Sequence, residues 1–126
     1  MEVEKDYIMR LVKEIARVLG FLIRGKKEEE DLEEEIQTLP IDGIFKFIIK
    51  LADKGNINEA ENLLFTQLDR TDMRHLYVAI AFYEHINEYT DEFLMGHSYT
   101  REEIIQGLKD IAKEYGISEI VSLLTY

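Results

Sequence analysis

The chain has 126 residues, 46% of them apolar and only one a proline, so it is neither a disordered segment nor a turn-rich sheet protein and is long enough to bury its own core. The absence of cysteine excludes disulfides, thiolate nucleophiles and cysteine-held zinc, and points to a reducing, cytoplasmic compartment. The net charge of −11 is unevenly spread: residues 1–27 carry seven Lys/Arg against four Asp/Glu, the remainder 8 against 22, and so acidic a body repels nucleic-acid backbones.

The apolar spacing predicts a first helix from Glu4 to Arg24. At about 100° per residue, Tyr7, Leu11, Ile15, Val18, Leu22 and other aliphatic residues fill one half of its wheel. Arg10, Lys13, Arg17 and Arg24 form a basic stripe on the other half. An apolar arc this wide exceeds what one neighbour covers, so at least two helices, from this chain or a second copy, are expected against it. Its longest uncharged stretch, Val18 to Ile23, is far short of the ~20 residues that span a bilayer, and interspersed charges argue against an export signal.

Seven of the eight residues 28–35 are acidic, which predicts a solvated linker or a frayed helix over 28–37, weakly anchored by Leu32 and Ile36. Pro40 suits the first turn of a helix carrying Ile41, Ile44, Phe45, Ile48, Leu51 and Ala52, which Gly55 ends. Asn58 with Glu61 reads as a capping box for a helix with Ala60, Leu63, Leu64 and Leu68 inward. The unbroken apolar run Leu76 to Tyr83 extends helically through Met73 and Ile86 and predicts a central helix. Thr90 begins a short helix stopped by Gly96, Thr100 with Glu103 caps a helix to Tyr115, and Ser118 caps a last one. These segments predict one all-α domain over residues 1–126, a bundle or a stack of helical hairpins with five to seven helices.

Gly55, Glu59, Ala60 and Leu64 give the hairpin Ile44–Leu68 a resemblance to a tetratricopeptide-type repeat, though no second copy is present and one helical hairpin within a bundle is the simpler reading. Lys5-Asp6-Tyr7-Ile8-Met9-Arg10, the basic helix after it and the later Asn-Glu-Ala-Glu-Asn-Leu-Leu-Phe resemble an uncharacterised family of small helical proteins from Gram-positive bacteria. That resemblance implies a cytosolic bacterial protein and carries no activity.

No phosphate loop, nucleophile elbow or metalloprotease helix occurs in the sequence. The basic stripe reads first as a solvated face, next as a dock for an acidic surface; a membrane surface fits poorly with an acidic body lacking Trp. Asp72 with His75, and His85 with Glu88, share helix faces, but the two histidines point about 80° apart on one helix. Tyr77, Phe82, Tyr83 and Tyr89 read as core. The functional expectation is therefore a protein-interaction or scaffolding module without catalysis, metal or cofactor. It is expected to pair as a homodimer through the first helix, with Arg10, Leu11, Lys13, Ile15, Arg17 and Arg24 as the interaction candidates. The alternative is a metal- or ligand-binding helical protein, or an enzyme, using His75, His85 and nearby carboxylates.

Overall fold

Each stretch with apolar residues at three- and four-residue spacing is helical in the structure, a computed structural model that describes residues 2–125. Among the described residues there are eight helices and no strand: α1 Glu2–Arg24, α2 Glu29–Gln37, α3 Pro40–Asp53, α4 Ile57–Gln67, α5 Met73–Asn87, α6 Asp91–Gly96, α7 Arg101–Glu114 and α8 Ser118–Leu124. The all-α expectation holds, and the eighth helix is the acidic run.

Of the two readings of that run, linker or frayed helix, the structure has a helix, docked through the two expected anchors. Leu32 and Ile36, one turn apart, are buried against Ile41 and Val78, while the carboxylates face outward. Acidic residues in the first turn complement the positive end of the helix. Glu35 is held by Lys27 at 2.6 Å and by Arg74 at 2.8 Å.

The boundaries follow local chemistry. Thr100 and Glu103 form the expected reciprocal cap of α7, and Thr90 accepts the Phe93 N–H at the start of α6. Asp72 caps α5 by accepting the Arg74 N–H. Gly55, between α3 and α4, has φ 100°, a conformation only glycine enters without strain. The His97 ring also packs so closely there that a Cβ would lie 2.3 Å from it. Two caps differ from expectation. α4 begins at Ile57 behind Asn56; Asn58 instead donates to the Ser98 carbonyl at 3.2 Å, and Glu61 serves a different set of partners. α8 begins at Ser118 behind Ile117, with no side-chain cap.

α5 is the centre of the bundle, packed by α1, α3 and α7. Leu76, Ala79, Phe82, Tyr83 and Ile86 are fully buried along it. α1 lies against α5, α7 and α8, so three helices of its own chain cover most of its wide apolar arc, all but the edge at Tyr7 and Leu22. Val12, Ile15 and Leu19 are fully buried there; each such side chain contributes about 1.5–3 kcal/mol relative to exposure.

Candidate functional site

α1 has an outer edge that the bundle does not cover. Ile15 lies wholly in the core, whereas Leu11 and Val18 are half-buried and Tyr7 and Leu22 remain 51% and 53% exposed. These four residues form one row at the rim of the apolar arc. Beside it runs the basic stripe. Arg17 pairs with Glu14, Lys13 stands 3.9 Å from Glu88, and the Arg24 guanidinium sits 4.6 Å above the Phe21 ring. Arg10 reaches back to the Asp6 carbonyl at 3.4 Å. The stripe is thus solvated, and Lys27 and Arg74, not the stripe, hold the acidic α2.

The open side of α5 forms a second feature. Tyr77, Ala81, Glu84 and Glu88 follow one another on one face of α5, which shows between α1 and α3 as the floor of a trough. The α3 half is a groove of about 800 Å³ with Phe45 and Ile49 on its wall and Lys46 and Lys50 at its rim. The α1 half, about 310 Å³, is bordered by Lys13, Arg17, Gly20, Phe21 and Arg24. Glu84 belongs to both halves, and α2 closes one end, where the Tyr77 hydroxyl donates to Glu29 at 3.1 Å. Partial desolvation by the walls, with the charge of Glu29 added, pushes the Glu84 carboxyl above its ordinary value.

The histidines have separate partners. His75 Nδ1 accepts the Asp69 N–H at 3.0 Å, and its Nε2 is 3.8 Å from Asp72. His85 Nε2 lies 2.8 Å from Asp53, whose same oxygen accepts the Tyr89 hydroxyl. Burial raises the Asp53 carboxyl, but the hydrogen bonds from Tyr89 and His85 outweigh it and leave the group below its ordinary value. From His85 a ladder of rings continues through Tyr89 and Phe93 to His97, with successive centroids 5.5, 4.7 and 4.5 Å apart. Both ends of the ladder touch the α3–α4 turn, at Asp53 and at Gly55, so it works as a latch between that turn and the α5–α6 segment. Among the described residues no three His, Asp or Glu side chains converge to hold a metal.

A polar cluster inside the bundle escaped the sequence. Tyr83 and Tyr99, both buried, donate to Glu61 Oε2 at 2.6 and 3.1 Å. Burial raises the Glu61 carboxyl against the lowering effect of the two phenols, and Glu103 and Asp110 raise it further. Burial and the Glu61 charge push both phenols far upward, so they stay protonated donors. Gly107 makes room for this: a Cβ on it would come 2.4 Å from the Tyr83 ring. Nearby, the buried Arg101 donates to Asp91 at 2.7 Å and to the Asn87 carbonyl at 2.8 Å, capping the end of α5. Asn87 in turn donates to the Met9 carbonyl at 3.2 Å, tying α5 to α1. Nothing in local periodicity marks these long-range pairs; the one usable signal was a glycine, Gly107, in the interior of a strongly periodic helix.

No helix among the described residues is long and apolar enough to cross a membrane. No curated protein and no solved structure matches the chain. Its sequence does fit one family model over residues 2–116, nearly its whole length, and the chain therefore belongs to that family of unknown function, DUF6483.

Proposed function

We propose that this chain is a protein-interaction module rather than an enzyme, and that it pairs with a second copy of itself across the outer row of α1. The observation that supports this most is the uncovered row itself: Tyr7 and Leu22 stay half exposed although three helices of the chain pack against the rest of the arc. The row is also self-complementary. Tyr7 and Leu22 lie equally far from the midpoint between Glu14 and Ile15, as do Leu11 and Val18. A twofold axis at that midpoint lays an antiparallel α1 on its mate with apolar residues opposite apolar residues, the arrangement an isologous interface needs. The adjoining Glu14 and Arg17 then come near their oppositely charged counterparts.

Sedimentation of the purified protein tests the pairing. The expected result is a dimer for the wild type and a monomer for Leu22→Glu and Leu11→Glu. Leu22 is exposed, so its variant should keep the helical circular dichroism of the parent. A wild type that stays monomeric at high concentration, or a Leu22→Glu protein that stays dimeric, overturns the proposal.

A further inference from the structure

The trough over α5 lies on a different face of α1 from the outer row and asks for its own occupant. It is elongated: Tyr77 to Glu88 spans three turns of α5, about 16 Å at the α-helical rise. Its wall carries apolar surface from Phe45 and Ile49 on α3 and Phe21 on α1, and Phe21 is 56% exposed. The rims carry Lys46 and Lys50 on one side and Lys13, Arg17 and Arg24 on the other. Lys46, Lys13 and Arg17 are paired with Asp42, Glu88 and Glu14, and Glu84 and Glu29 line the floor and one end, so the charge left for a partner is that of Lys50 and Arg24, one on each rim. Among the described residues no carboxylate comes within 4.0 Å of Lys50 or Arg24.

Gly20 is a second, independent observation. It stands mid-helix in α1, where glycine costs about 1 kcal/mol relative to alanine. A Cβ there would meet nothing within 4 Å, so packing does not demand glycine. Its effect is to keep the α1 wall of the trough low.

We propose that the trough docks a helix of a partner protein, about three turns long, with an apolar ridge and acidic residues along both edges. The ridge meets Phe21, Phe45, Ile49 and Ala81, and the two acidic edges meet the two cationic rims. This is the helix-in-groove mode, with charge complementarity fixing orientation. Glu84 refines the description. A wholly apolar ridge would strip water from its carboxyl without replacing the hydrogen bonds, so the ridge carries one donor, such as Ser, Thr or Asn, at that level. The two unpaired cations, Lys50 on one rim and Arg24 on the other, favour acidic edges over basic ones.

The test uses the full chain and two fluorescein-labelled synthetic helices sharing one leucine ridge with a central serine, one edged with Glu and the other with Lys. The Glu-edged peptide should bind at least tenfold more tightly than the Lys-edged one, and added salt should weaken it. Lys46→Glu with Lys50→Glu should reduce its affinity at least tenfold, as should Gly20→Leu, which fills the trough where there is room for a side chain. Lys109→Glu with Lys113→Glu on α7, an equal charge change elsewhere, should leave it within twofold. The same binding by the Leu22→Glu protein separates this proposal from the pairing of copies. Equal binding of both peptides, no binding of either, or indifference to the rim and Gly20 substitutions overturns the proposal. So does a peptide that splits the dimer, which would make a second copy the occupant, or anionic phosphatidylglycerol vesicles that displace the peptide completely.

Discussion

The two sides of α5 were built to opposite rules. On the inner side each polar group has a partner: Tyr83 meets Glu61, Asn87 meets Met9, and Arg101 closes the C-terminal carbonyls. Among the described residues no buried side-chain polar atom lacks a hydrogen bond. On the outer side Ala81, Glu84 and Glu88 lie open beneath two cationic rims. A buried polar network that is fully satisfied fixes one arrangement of helices. An open face whose rims keep Lys50 and Arg24 without a carboxylate partner among the described residues leaves part of its complement to be supplied from outside. The inner side therefore explains the fold, and the outer side is where the proposed binding resides.

Substitutions on the inner side should be felt most. Arg101→Met should lower stability by about 3 kcal/mol, because it strands the carbonyls of Asn87 and Tyr89 in the interior. Gly107→Ala should cost about 2 kcal/mol, since its methyl group overlaps the Tyr83 ring and one of the two helices must move. Denaturant titration reads both. Glu61→Gln should show a pH signature. The folded carboxyl is raised above its ordinary 4.5, so stability is fully present below that value and is lost as pH rises through the folded one. Relative to the Gln variant, the wild type should then weaken as pH climbs above 4.5. A difference that does not vary with pH would mean that Glu61 titrates alike in the folded and unfolded chains.

The outer side and α2 should respond weakly. Neutralising Glu28, Glu29 and Glu30 should change stability by less than about 1 kcal/mol, because these side chains are exposed and α2 is held by Leu32, Ile36 and Glu35. A larger loss that salt does not reproduce would show that the acidic residues are packed.

The helices were legible because their cause is local. Apolar spacing, the Thr100–Glu103 cap and the stops at Gly55 and Gly116 each act within a few residues of themselves. The acidic run was half legible: a helix anchored by Leu32 and Ile36 was one of its two readings, but composition, which counts carboxylates, could not show that Ile41 and Val78 receive those two residues. Glu61, by contrast, misled. Its spacing from Asn58 imitates a capping box, yet its partners, Tyr83 and Tyr99, lie 22 and 38 residues away. Of the proposed surfaces, the α1 row and its basic stripe were readable on a helical wheel. The trough was not, since its rims come from two helices whose adjacency only the tertiary fold creates.

One pair of melts tests the division of α5 most directly: the same substitution, glycine to alanine, on the two helices that flank it. Gly107→Ala faces the closed side and should lower the melting temperature. Gly20→Ala faces the trough, where a Cβ has no neighbour within 4 Å, and should raise stability by about 0.5–1 kcal/mol through helix propensity alone. Opposite signs are the predicted result. Shifts of the same sign, in particular a Gly20→Ala protein that melts earlier, would contradict the account, because the trough would then be packed structure with no room for a partner.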